Sequence, residues 1–209
     1  MFQIIDLGER EVYSGVELTP NYFRGIDRKF KTHLHTIAHW TGPTNVKVEH
    51  MKDVDDVQQN LTIKSDRMQH FIIEIKNVAS PLELVLIQRM FTKLVVEGVN
   101  ENIPGDSYHN YLYVEGNDVF QSDSIKFERK KFSVSIAVPS FGVGLIHFAY
   151  NLDSKNGPKD VSIVSLKDIL NQYSKKSQQV YEEEVREWIV NSFVDEYIDC
   201  VEDSFKAVS

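Results

Sequence analysis

Between Lys131 and Asp153 apolar and small or polar positions alternate along two consecutive runs. Phe132, Val134, Ile136 and Val138 alternate with Lys131, Ser133, Ser135 and Ala137, and then Ile146, Phe148, Tyr150 and Leu152 alternate with Leu145, His147, Ala149 and Asn151. A period of two is that of a strand with one buried face, and Pro139, Ser140, Phe141, Gly142 and Val143 supply a reversal. The pattern predicts a β-hairpin. With Val138 opposite Gly144, Lys131 faces Asn151 and Ser135 faces His147. A cation, two hydroxyls, an imidazole and an amide then share one surface, kept shallow by Ala137 and Ala149 and able to floor a ligand pocket.

Elsewhere, β-branched and aromatic residues predict strands at Val46 to Met51 and Phe71 to Ile75, with Asp53, Asp55 and Asp56 between them as a solvated turn or helix start. Ser80, Pro81 and Glu83 form a capping box for a helix over Pro81 to Glu97. Leu82, Leu86, Met90 and Leu94, joined by Val85, Phe91 and Val95, give it an apolar stripe, and Gly98 is placed to cap its end. Gly105, Gly116 and Asn117 punctuate a loop region around a short strand at Tyr111 to Val114. Another short strand is expected at Ile125 to Phe127, and Asn156, Gly157 and Pro158 end the hairpin. Ser165 and Asp168 resemble a second capping box, and the polar run Tyr173 to Gln179 reads as a linker. From Tyr181 onward Val185, Trp188, Ile189, Phe193, Tyr197 and Cys200 recur at steps of three and four, which predicts a long amphipathic helix. The expected architecture is α+β, a central mostly antiparallel sheet with packed helices. It divides into a domain over residues 1–170 and a linker with a C-terminal amphipathic helix over 171–209.

Composition narrows the chemistry. Lys and Arg number 23 against 31 Asp and Glu, a formal charge of -8, which repels a phosphate backbone and argues against nucleic-acid binding. No apolar run reaches the roughly 20 residues of a membrane span, and the N-terminus lacks the pattern of a signal peptide, so a cytoplasmic, soluble protein is expected. Cys200 is the only cysteine, which excludes an internal disulfide or a multi-thiolate zinc site within the chain; its place on the apolar stripe predicts a buried, inert thiol.

Lys131, at the mouth of the hairpin, is a candidate to neutralise a carboxylate or phosphate, although Lys126, Arg129 and Lys130 make the neighbourhood a basic run that would equally suit a solvated face. His147 is a candidate to orient a substrate or move a proton, against the alternative of a histidine bonded to Ser135 or to backbone. Ser133 and Asn151 read as structural hydrogen-bonding residues beside it. His33, His35 and His39 share strand parity and raise the question of a metal site, as do His50 and His70. On a strand, His70 and Glu74 are about 13 Å apart along the chain, too far to ligate one ion. No serine sits in a nucleophile elbow, Gly142 and Gly144 lie at a hairpin tip and not between a strand and a helix, and Gly42, Pro43 and Thr44 read as a plain turn.

The segments Val48-Glu49-His50-Met51, Met68-Gln69-His70-Phe71-Ile72-Ile73-Glu74 and Lys131-Phe132-Ser133-Val134-Ser135-Ile136-Ala137 through Ile146-His147-Phe148 resemble the family called domain of unknown function 366, which carries no established activity. A more distant likeness is to biotin and lipoate protein ligases and octanoyl transferases. There a long helix is followed by short strands, a lysine-led strand with small residues, and a return strand carrying His and ending in Asn. Pro81 to Glu97, Lys131, His147 and Asn151-Leu152 take those places here. That resemblance implies a ligase-like fold and a lysine, Lys131, that contacts an acyl carboxylate. The Arg- and Gly-rich stretch that holds nucleotide in the ligases has no good equivalent around Thr41 to Val48, and Leu166, Lys167 and Asp168 stand where octanoyl transferases place their cysteine.

The functional expectation is a small-molecule ligase or acyltransferase with Lys131 and His147 as catalytic candidates and Ser133, Ser135, Asn151, His70 and His50 around the ligand. The alternatives are a non-catalytic ligand- or partner-binding module, whose amphipathic tail would suit a homodimer, and a metal-dependent hydrolase using His33, His35, His50 or His70. The sequence identifies no cofactor.

Overall fold

The computed structural model of the chain describes residues 1–26, 29–52, 57, 63–102, 112–123, 128–155, 161–173 and 178–206. Five strands form the main sheet: β1 (Phe2–Glu9), β2 (His35–Val46), β3 (Ile63–Lys76), and, after three shorter strands, β7 (Ser133–Ser140) and β8 (Val143–Asp153). Their order is β1-β2-β3-β8-β7, with β1 parallel to β2 and every other pair antiparallel. β4 (Leu112–Glu115), β5 (Asp118–Asp123) and β6 (Glu128–Lys131) make a second, antiparallel sheet. Among the described residues the α-helices, in chain order, are α1 (Pro81–Asn102), α2 (Leu166–Tyr173) and α3 (Gln178–Lys206). The fold is α+β with a mostly antiparallel central sheet.

Strand parity divides the core between the two faces of that sheet. Phe71, Ile73 and Ile75 of β3 and Ile146, Phe148 and Tyr150 of β8 point toward α1 and α3. Ala38, Trp40, Ile72 and Leu145 point the other way and are covered by Tyr13, Leu18 and Phe23 from the segment after β1. The capping boxes form as the sequence requires. Glu83 N–H donates to Ser80 Oγ at 3.1 Å, and Glu83 Oε2 accepts from Ala79 N–H at 2.7 Å. At α2, Asp168 N–H donates to Ser165 Oγ at 3.2 Å while Ser165 N–H donates back to Asp168 Oδ2 at 2.9 Å.

Several expectations are corrected. The hairpin register is one residue off, because Ser140 pairs with Val143 across a two-residue loop, whereas a five-residue loop was expected. Phe141 (φ 48) and Gly142 (φ 78) both take positive φ, the signature of a type I′ turn whose twist matches that of the strands. Ser135 therefore faces Phe148 and Ile136 faces His147. Lys131 is not on the hairpin strand at all: it ends β6, opposite Phe120 of β5, and buried Phe132 separates the two sheets.

The strand expected over Val46 to Met51 lies earlier. Gly42, Pro43 and Thr44 are inside β2 at a register shift and do not form a plain turn. The last β2 pair is Val46 with Ile63; beyond it the chain closes its own hydrogen bonds, with His50 N–H donating to Lys47 O and Met51 N–H to Val48 O in a 3-10 turn over Val48–His50.

The buried face of α1 centres on Leu84, Ile87, Phe91 and Val95, rotated from the stripe predicted, and Leu82 and Leu86 are 68% and 57% exposed. Gly98 is no cap. It lies within α1, which continues to Asn102, and a Cβ there would come within 2.6 Å of Trp188 on α3. Cys200 is exposed, because α3 runs past the body of the fold and every residue from Ile198 to Lys206 is exposed.

Expectations at Asp53, Asp55, Asp56, Gly105, Tyr111, Ile125 to Phe127, Asn156 to Pro158 and residues 174–177 lie outside the described residues. Among the described residues, no helix is long and apolar enough to cross a membrane.

Candidate functional site

A cavity of about 240 Å³ opens on the sheet face away from α1 and α3. Its floor is the middle of the sheet, with Met68 from β3, Ile136 from β7 and His147 from β8. Tyr13, Gly15 and Leu18 close it from the segment after β1, His50 and Met51 from the 3-10 turn, and Lys131 and Asp118 at the second sheet. Three conformational features build this enclosure. The type I′ turn sets the β7 and β8 parity that points His147 into it. The parallel bridge of Tyr13 to Thr44 lays the covering segment along β2. Pairing of β5 with β6 brings Asp118 and Lys131 together.

Lys131 Nζ lies 2.7 Å from Asp118 Oδ2, with both side chains about a third or less exposed. Burial pushes the Asp118 carboxyl up from its usual range, only partly opposed by the Lys131 ammonium and the Ser135 backbone N–H. Asp118 Oδ1 is buried with no hydrogen-bond partner. One end of the cavity thus holds a cation, a carboxylate with a free oxygen, and mainly apolar walls between them and the floor.

His147 and His70 form a buried pair. His70 Nδ1 is 3.1 Å from His147 Nε2, and His70 Nε2 is 3.1 Å from the Gly42 carbonyl oxygen. Trp40 stacks on His70 with ring centroids 4.9 Å apart, and Tyr13 stacks on His147 at 3.9 Å. Burial lowers both imidazoles: His70 is pushed down to about 3 against the raising effect of the Gly42 hydrogen bond, and His147 well below the usual value, with His70 adding to the effect. Both rings are neutral at physiological pH.

Of the residues singled out from sequence, the structure brings Lys131, His147, Ser133, Ser135, Asn151 and His50 to the lining of this one cavity, with His70 directly behind His147. Ser133 and Ser135 do not share the His147 face, however. Ser133 Oγ accepts from Val119 N–H at 2.8 Å, and Ser135 Oγ accepts from Gln88 on α1 at 2.7 Å. Asn151 is tied up structurally, accepting from Ser65 Oγ at 3.3 Å and donating to Val164 O at 3.3 Å.

The other histidines disperse. His35 Nδ1 accepts from Lys76 N–H, His39 faces Asp6 at 3.6 Å, and Glu74 is held by Lys76 and by Asn21 N–H. Among the described residues no group of three or more His, Cys, Asp or Glu side chains is placed to hold a metal ion. Sequence reasoning missed Tyr13 and Asp118. Asp118 directly follows the Gly116-Asn117 turn, a signal for a strand start that would have placed it opposite the Lys131 end of β6.

The chain matches the family described as "Domain of unknown function (DUF366)" over residues 2–208, and it belongs to that family. It is 29% identical over 170 residues to an uncharacterised protein of Methanocaldococcus jannaschii, covering 79% of this chain and 70% of the relative. A protein of unknown function from Pyrococcus horikoshi superposes with a TM-score of 0.77 at 23% identity, covering 99% and 97% of the two chains. The fold is also that of biotin and lipoate protein ligases. The Aquifex aeolicus biotin protein ligase in complex with biotin and ATP gives a TM-score of 0.53 at 13% identity, covering 90% of this chain and 70% of the ligase. The Thermoplasma acidophilum lipoate protein ligase gives 0.55 at 12%, covering 93% and 84%.

Proposed function

We propose that the cavity binds a small carboxylic acid or its acyl derivative, with Lys131 holding the carboxylate, and that the chain acts on it as a ligase- or acyltransferase-like enzyme. The observation that carries this reading is the Lys131 ammonium, paired on one side with Asp118, at one end of a mainly apolar enclosure. A fixed cation beside low-dielectric walls attracts a carboxylate in the ground state and stabilises the negative charge that acyl transfer develops. Size supports the same class. About 240 Å³ falls below the roughly 300–1,000 Å³ typical of drug-sized ligand sites, which suits a small acid better than an acid and a nucleotide together. Native mass spectrometry of protein purified without a tag tests the reading, since a retained acid of matching mass supports it. Recovery of the protein free of any acid, and unmoved by added biotin or lipoic acid, counts against it.

A second reading, a non-catalytic binding module on the same fold, is favoured by the β2 segment. Gly42 there is backed onto its own chain, a Cβ meeting Arg10 O at 2.8 Å and Glu11 O at 3.1 Å, so the glycine is used for close packing and leaves no backbone cradle for phosphates. The end of α3 adds an exposed apolar edge of Ile198, Val201 and Phe205 on which such a module would meet a partner. ATP-dependent pyrophosphate release in the presence of an acid would decide for the enzyme.

A further inference from the structure

The cavity has a second polar element that the acid reading does not use. The Gly42 carbonyl can only accept, so the His70 nitrogen facing it at 3.1 Å, Nε2, carries the ring proton. His70 is fully buried and neutral, which leaves its Nδ1 as a lone-pair acceptor. His147 Nε2, 3.1 Å from that nitrogen, is therefore the donor between the two rings. A neutral His147 then has its own lone pair on Nδ1. Among the described residues, the buried side-chain polar atoms without a partner are His39 Nδ1, Asp118 Oδ1 and Tyr150 OH. His147 Nδ1 is not one of them and bonds to no described residue, so it opens onto the cavity that the ring lines. The two hydrogen bonds select the ring orientation, since a flip of His70 would put carbon where both bonded nitrogens stand and a flip of His147 would put carbon opposite His70 Nδ1, while Trp40 and Tyr13 hold the ring planes by stacking.

We propose that His70 is a positioning residue that fixes His147 as a lone-pair acceptor on the cavity wall, so that the occupant is a carboxylic acid also bearing an N–H or O–H donor. The carboxylate half of this statement rests on the proposed function; the fixed tautomer does not. An acceptor fixed on a mainly apolar wall discriminates, because an occupant without a donor leaves it unpaired and binds about 5- to 150-fold more weakly. Biotin, with ring N–H groups, and lipoic acid, whose dithiolane has none, therefore serve as contrasting probes.

Nitrogen-15 spectra of the histidine side chains test the relay without any ligand. The wild type is expected to show His70 and His147 both as Nε2–H tautomers. His70→Leu removes the acceptor, so the His147 signals should move toward the averaged tautomers of a free imidazole. His70→Asn, whose Oδ1 takes the place of Nδ1, should restore the wild-type pattern, and it remains a usable comparison if the leucine variant does not fold. A wild-type His147 in the Nδ1–H form, or an unchanged His147 spectrum in a folded His70→Leu, overturns the proposal. In a second step biotin is expected to shift the His147 Nδ1 resonance and lipoic acid to leave it in place; biotin that binds without shifting it overturns the proposal as well. If neither acid binds, it is the acid reading that fails, and the tautomer spectra decide the relay alone.

Discussion

Lys131 Nζ contacts one carboxylate oxygen of Asp118 at 2.7 Å, while the other, Oδ1, is buried with no partner. The pair is a half-compensated charge in a place where burial already disfavours the carboxylate. Lys131→Met should therefore leave Asp118 worse off and destabilise the fold by about 1–3 kcal/mol near neutral pH, less than for a fully buried pair because both side chains are partly exposed. The sign with pH follows from linkage. A carboxyl whose folded pKa is raised binds its proton more tightly when folded, so stability falls as pH rises from about 4 through that raised value. The deficit of Lys131→Met should shrink toward about pH 4 and be largely recovered in the Lys131→Met/Asp118→Asn double variant. Urea denaturation of the wild type, the single variants Lys131→Met and Asp118→Asn, and the double variant at two pH values checks this.

The buried histidines predict acid sensitivity of the opposite direction. His70 is lowered to about 3 and His39 to about 4, both mainly by burial. The unfolded chain takes up these protons as pH falls below about 6.5, while the folded state resists, so stability is full above that value and lost between it and the folded pKa. By about pH 5, His70 alone accounts for about 2 kcal/mol. His70→Asn should flatten the loss between about pH 7 and 5 by roughly that amount, as read from denaturation midpoints.

Gly98→Ala should destabilise by about 1–3 kcal/mol, since the new Cβ meets Trp188 Cε3 at 2.6 Å and Ile189 Cγ1 at 3.1 Å where α1 crosses α3. A drop in melting temperature with an unchanged far-ultraviolet spectrum is the expected result.

Phe141 is fully exposed and held at φ 48. A bulky side chain in that region is strained by roughly 1–2 kcal/mol, so Phe141→Gly should not weaken the protein and Phe141→Asn should strengthen it, by up to about 1 kcal/mol. Thermal melts of both variants measure it.

The same turn explains how far the sequence could be read. Alternation from Phe132 to Leu152 was enough to identify the hairpin and, with Ser80-Pro81 and Ser165-Asp168, the starts of two helices, because those signals are local. Register was not local information. It depended on Phe141 accepting a left-handed conformation that a phenylalanine disfavours, and one residue of slip moved Ser133 and Ser135 to the face opposite His147. The stripe of α1 failed for a related reason. Leu82, Leu86 and Met90 have the spacing of a buried face, but the neighbouring set Leu84, Ile87, Phe91 and Val95 has it too, and only the sheet decides between them. Gly98 and Gly42 both read as punctuation in one dimension, and both serve close approaches to elements far away in sequence. Lys131, His147 and His50 were placed around one cavity because each carries distinctive chemistry, whereas Tyr13 and Asp118 carry none until the chain is folded.

The most direct test is the change in melting temperature on adding millimolar biotin or lipoic acid, compared between the wild type and Lys131→Ala, each against its own ligand-free baseline. Ligand above its dissociation constant stabilises only the folded state that binds it. A rise of several degrees in the wild type that is lost in Lys131→Ala is the predicted result, and an equal rise in both proteins would contradict the role given to the Lys131 ammonium.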